Sequence, residues 1–176
     1  MQKFVLLFLS LLIFSFSTVA IAKEKNPATK MVGDLEITVD NVSMFDDPNC
    51  GHNYYQCSFG LKIHNKSKCR MQVALMRPIS LQLHEGSEFR IRDVSGLANC
   101  INRSLKECEG MSGDFEVIDP DQSIIVNFNT WEKNKNEVSS CRVCRISGSL
   151  FVHNQETGKS YVRNISLDDI DIIASK

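Results

Sequence analysis

The chain of 176 residues carries 20 basic and 21 acidic side chains, a formal net charge of −1, and is 43% hydrophobic. That balance, with no basic block or stripe, gives no electrostatic support for binding nucleic acid or an anionic membrane surface. A chain of this size can bury about two-thirds of its unfolded surface as one domain, so a core without covalent staples would suffice, yet seven cysteines are present.

Met1 to Ala22 reads as a secretory signal peptide. Lys3 is the positive start, Phe4 to Phe16 the apolar run, and Ala20-Ile21-Ala22 a small-x-small signal that places cleavage after Ala22. The uncharged run Phe4 to Ala22 is long enough to span a bilayer, but its polar tail and the two alanines favour cleavage; no stable membrane insertion is expected afterwards. In a two-membrane host the product is periplasmic, and otherwise it is secreted. Residues 23–32, charged and carrying Pro27, read as a flexible tether, and residues 33–176 as a single domain.

From Gly33 onward the pattern has period two. Leu35, Ile37 and Val39 alternate with Glu36, Thr38 and Asp40, which predicts a strand with one buried face. Tyr55 to Asn65 is the clearest strand, and Asn65-Lys66-Ser67-Lys68 closes it with a polar turn. Cys69 to Met76 and Ile79 to His84 come next, separated by Arg77-Pro78, where the missing amide hydrogen predicts an edge or a bend. A short strand surrounds Phe89 and Ile91. Asp93 to Asp114 reads as a long loop with one helical turn at Arg103 to Cys108. Strands resume at Phe115 to Ile118, Ser123 to Thr130 and Arg142 to Asn154, and Ser160 to Leu167 reads as the hairpin partner of the last. Asp168 to Ile173 fits either a final strand or a frayed end. Seven to nine short strands at this spacing predict an all-β, antiparallel sandwich with disulfide-stapled loops.

Export places the sulfurs in an oxidising compartment. Proximity pairs Cys50 with Cys57, Cys100 with Cys108 and Cys141 with Cys144, leaving Cys69 as the free or intermolecular thiol; a bridge from Cys69 to Cys141 or Cys144 is the variant. An unpaired sulfur also gives a route to a homodimer. Cys141-Arg142-Val143-Cys144 is a CxxC, but dithiol redox chemistry wants the first sulfur at a helix start, and the residues after Cys144, Arg145 to Val152, are strand-like. Cys50, His52 and Cys57 match no zinc finger or ribbon spacing, so no metal or cofactor is expected.

His64, His84 and His153 fall on polar faces or strand ends and read as solvated imidazoles. His52, beside Tyr54 and Tyr55, is the histidine placed for a binding role. No Gly-x-Ser-x-Gly elbow occurs, and the adjacent pairs Asp46-Asp47 and Asp168-Asp169 would diverge on a strand. Neither a nucleophile with its base nor opposed carboxylates can be assembled from spacing. Asp119-Pro120-Asp121-Gln122 reads as a hairpin turn. Four Asn-x-Ser sequons begin at Asn41, Asn65, Asn102 and Asn164.

The signal peptide, the tether, the strand ending in Ile63-His64-Asn65-Lys66-Ser67, and Ile118-Asp119-Pro120-Asp121-Gln122-Ser123 entering a later core strand together resemble small bacterial extracellular immunoglobulin-like domains. In that family one core strand ends in an Asn-x-Ser/Thr turn and a Pro-Gly-type turn introduces another. This chain has Asp121 where glycine is commoner. The resemblance implies a β-sandwich that works by binding and carries over no catalytic residue.

The expected protein is thus an exported, non-enzymatic immunoglobulin-like binding or accessory module, with another protein of the cell envelope or exterior as partner. Its contact surface is expected on the stapled loops at Cys50 to Cys57 and Cys100 to Cys108, anchored by Tyr54, Tyr55 and Trp131. Two rival readings remain. One is a thiol-disulfide oxidoreductase or thiol-dependent chaperone using Cys141 and Cys144, and the other an inhibitor of an exported hydrolase.

Overall fold

The computed structural model describes residues 28–46, 53–138, 142–168 and 172–173. The signal segment, the first half of the tether, Cys50, His52 and Cys141 lie outside these residues. The strands are β1 (Thr29–Val32), β2 (Leu35–Asp46), β3 (Tyr54–Asn65), β4 (Met71–Leu83), β5 (Glu88–Ser95), β6 (Ala98–Asn99), β7 (Glu116–Ile118), β8 (Ser123–Thr130), β9 (Lys133–Asn134), β10 (Arg142–Asn154), β11 (Lys159–Leu167) and β12 (Ile172–Ile173); one short helix, α1 (Leu105–Gly110), stands between β6 and β7.

The strands run β1-β2-β3-β8-β5-β4-β10-β11 along one hydrogen-bonded path. The path folds over at β5. Its first residues pair with β4 (Leu81 opposite Phe89) and its last with β8 (Val94 opposite Phe128), so β5 leaves one sheet and joins the other between Arg90 and Ile91. Setting β1 aside, β2-β3-β8-β5 faces β4-β10-β11, which is the A-B-E-D and C-F-G order of a constant-type immunoglobulin sandwich. The pairing is antiparallel except for the two-residue contact of β6 with β4.

The core is what the alternation dictates. Phe59, Leu61 and Ile63 of β3 and Val126 and Phe128 of β8 meet Val73, Leu75, Leu81, Ile146 and Val152 from the other sheet, and the Phe59 and Phe128 rings stack at 5.0 Å. Burying each of these side chains contributes about 1.5–3 kcal/mol.

Departures from simple alternation have local causes. In β2 the register slips between Val39 and Val42, so the buried positions change from Leu35, Ile37, Val39 to Val42, Met44. Gly60 lies beside this bulge, where a Cβ would come within 3.2 Å of Asp40. β4 is continuous through Pro78, because β5 departs just there and the partner strand bulges between Ser147 and Ser149. Thr29–Val32, assigned to the tether from sequence, is instead a strand: it folds back on β2 through the Gly33-Asp34 turn, with Gly33 at φ 66°. The domain therefore starts before Gly33. An edge strand with one wet face and no apolar alternation leaves little trace in composition.

The segment between β6 and β7 closes over the outer face of the second sheet. Cys100, Cys108 and Phe115 come down on Ala74 and Phe151, all buried, with the two phenylalanine rings edge to face at 5.5 Å. Cys100 and Cys108 are disulfide-bonded, their Cα atoms 5.9 Å apart. Helix α1 opens on a capping box: Glu107 accepts from the Ser104 amide at 2.6 Å, and the Ser104 hydroxyl accepts from the Glu107 amide. The Ser104 amide, and then the Ser104 hydroxyl donating to the same carboxylate at 2.7 Å, hold the Glu107 carboxyl below the usual carboxylate range.

The Asn65 side chain is fully buried. It donates to the Cys69 and Ile118 carbonyls at 2.8 and 2.9 Å and accepts from the Ser67 amide at 2.9 Å, tying β3, the turn after it and β7 together. The Asn-x-Ser turn is thus a structural clasp, and this sequon is sealed once the chain folds. No helix among the described residues is long and apolar enough to cross a membrane.

Candidate functional site

Where β5 changes sheets, the sandwich opens. The last rung between β5 and β8 is the Trp131 amide donating to the Arg90 carbonyl at 2.9 Å. Beyond it Glu88 to Arg90 pair with β4, while Lys133 and Asn134 pair with Tyr55 and Tyr54 of β3. The two backbones diverge and leave a cleft of about 410 Å³ lined by Tyr54, Trp131, Arg90, Glu88, Glu132 and Glu137, with Phe89 also in its wall. Two bonds span it: Lys133 donates to the Glu88 carbonyl at 3.2 Å and the Ser87 hydroxyl to the Glu137 carbonyl at 2.7 Å.

Thr130 sets the direction of the tryptophan. It is buried; its hydroxyl accepts from the Cys57 amide at 2.9 Å and its carbonyl from the Gln56 side chain at 3.0 Å. With Thr130 held inward, alternation turns Trp131 outward, 56% exposed. Arg92 lies over its ring, 5.9 Å from the centroid, and also donates to Glu132 at 3.1 Å and Asp93 at 2.7 Å. Cation, ring and carboxylates hold one another in place.

The structure thus brings two of the predicted anchors, Tyr54 and Trp131, into one cleft. Tyr55 has a different place. It packs against the core, with the Lys135 ammonium 4.9 Å from its ring and 2.6 Å from the Asp46 carboxylate. His52, the histidine expected on the binding surface, lies outside the described residues. The Cys100 to Cys108 loop lies away from the cleft: both sulfurs are buried against the outer face of β4 and β10, where Ala74 and Phe151 need a cover.

Among the other cysteines, Cys57 is buried within β3, and Cys50, its expected partner, lies outside the described residues. Cys144 is a free, half-buried thiol at a β10 bulge, its sulfur 3.5 and 3.4 Å from the Gln82 and Leu83 carbonyl oxygens; Cys141 lies outside the described residues. Cys144 sits in a strand, not at a helix start. Cys69 is also a free, half-buried thiol. It precedes the Met71 end of β4, whereas Cys144 faces the Leu83 end, about 35 Å away along the strand, so the Cys69 to Cys144 variant is ruled out.

One arrangement is invisible in the spacing. His64, read as solvated, places Nδ1 2.9 Å from the Ser123 hydroxyl and Nε2 3.0 Å from the Asp121 carboxylate. His64 and Ser123 are opposite one another across β3 and β8, and Asp121 belongs to the turn that leads into β8. Register is needed to see them meet, and register was not in the sequence pattern.

No family model and no curated protein matches the chain. Among solved structures it is similar to a target of the Northeast Structural Genomics Consortium, at 9% identity over 79% of this chain and 89% of that chain with a TM-score of 0.45. It is also similar to an uncharacterized beta-sandwich protein from Clostridium difficile 630, at 12% identity over 80% and 91% of the two chains with a TM-score of 0.38. The immunoglobulin-like class stands on the strand order and the core described above.

Proposed function

We propose that this chain is an exported, non-enzymatic binding module that holds another protein through the Tyr54 and Trp131 cleft. The observation that carries the reading is an exposed tryptophan sharing one cleft with an exposed tyrosine and ringed by charged groups. Aromatic anchors inside a polar rim are the arrangement that concentrates binding energy at protein interfaces. The Arg92 contact orders the ring in advance, which lowers the entropy lost on docking. Export is supported by the amino-terminal pattern and by a disulfide of the kind that persists in oxidising compartments.

Two measurements test this. Material purified from the host's envelope or culture fluid should begin at Lys23, and an intact Met1 on cytosolic protein would overturn export. Trp131→Ala should weaken the co-purifying partner by at least about thirtyfold, the hot-spot scale, while Ile125→Ala, equally exposed on β8, leaves it unchanged. Equal retention by both variants would overturn the cleft as the binding site.

A further inference from the structure

We propose that Ser123 is a nucleophile, its hydroxyl accepting an acyl group from an activated ester with His64 as base and Asp121 as the residue that orients the imidazole. The three side chains form one hydrogen-bonded line, Ser123 to Nδ1 at 2.9 Å and Nε2 to Asp121 at 3.0 Å. In the neutral ring, a hydrogen on Nε2 serves the Asp121 carboxylate, which only accepts, and the Nδ1 lone pair then faces the Ser123 hydroxyl and can take its proton. The His64 side chain is 17% exposed and shields the bond to Ser123, whereas the Asp121 side chain is 89% exposed and meets water.

Asp121 has φ 58°, a left-handed turn position that glycine, asparagine and aspartate adopt, and the turn presents its carboxylate to the imidazole. Asp119, in the same turn, is tied off to Arg70 at 2.7 Å, leaving Asp121 as the carboxylate for His64.

In the reaction the Ser123 oxygen bonds to the carbonyl carbon of the donor as its proton passes to Nδ1. The carbon to leaving-group bond then breaks, and the proton goes on to the departing alkoxide or phenolate. The products are an O-acyl serine and an alcohol. The trio spans β3, β8 and the turn leading into β8, and the product that reports it is an O-acyl group on Ser123.

The molecule contains its own reference. His153 Nδ1 is 2.8 Å from the Ser160 hydroxyl, again across paired strands, but no carboxylate among the described residues bonds the other ring nitrogen. The folded protein is treated with p-nitrophenyl acetate, and acetyl groups are located by mass spectrometry. Ser123 should acetylate about tenfold faster than Ser160, a modest share of what a positioned base supplies. His64→Gln should abolish that advantage. Asp121→Gly, which suits the left-handed turn and should leave the melting temperature near that of the parent, should also reduce Ser123 to the Ser160 rate. Equal rates at the two serines in the parent, no acetylation at Ser123, or an unchanged Ser123 rate in Asp121→Gly would each overturn the assignment.

Discussion

Two buried polar side chains show how differently a single residue can act on stability. Asn65 satisfies two carbonyls and an amide at once, and its bond to the Ile118 carbonyl is buried. Asn65→Ala should lower the unfolding free energy by about 2–4 kcal/mol, read from urea unfolding. Ser149 is the converse. It is fully buried beside the β10 bulge, and its hydroxyl has no hydrogen-bond partner among the described residues. Ser149→Ala removes an uncompensated polar group and should raise stability by about 1 kcal/mol in the same assay; a loss of that size would show that the hydroxyl is bonded in solution. Neither residue differs in type from its exposed counterparts in the sequence. What separates them is register, since Asn65 ends its strand where β7 arrives and Ser149 comes just after a slip.

Among the elements, the segment from β6 to β7 is the least like a standard sandwich connection. Its disulfide closes a short loop over an apolar face, and the chain-entropy model gives such a closure about 2–3 kcal/mol. The double variant Cys100→Ala, Cys108→Ala should lose about that much. It should also show faster amide exchange around Ala74 and Phe151 than around Val126 and Phe128, the latter pair being covered by the other sheet. The same segment should respond to acid. The Glu107 carboxyl is held low chiefly by the Ser104 amide, then by the Ser104 hydroxyl. A depressed carboxylate stabilises above its unfolded value and loses that contribution as pH falls through its folded value. Exchange at α1 should accelerate as pH drops below the usual carboxylate range, after correction for intrinsic exchange, and Glu107→Gln should blunt that response. Strands with sustained alternation were legible: Ser123–Thr130 and Arg142–Asn154 have the bounds the pattern predicts, and Tyr54–Asn65 differs by one residue. β1 escaped because an edge strand with polar neighbours has no period to detect. The phase change in β2 escaped because a bulge is a property of the pair of strands, with Gly60 on the partner making room for it.

At the scale of the whole molecule, the topology creates the cleft. Tyr54 and Trp131 are far apart in sequence, and they share a cleft because β8 and β9 run along β3 while β5 crosses to β4. Composition singled out both aromatics, but only the crossing strand explains why they face the same space and why the Cys100 to Cys108 staple does not. The fold thus separates its tasks: one surface is sealed by a disulfide-bonded cover, and one corner is left open with an ordered tryptophan. The decisive measurement replaces Trp131 with a photo-crosslinking phenylalanine analogue in the host and irradiates intact cells, with the same analogue at Ile125 as the comparison. The account predicts one discrete protein adduct from position 131 and none from position 125. No adduct at position 131, or the same adducts from both positions, would contradict it.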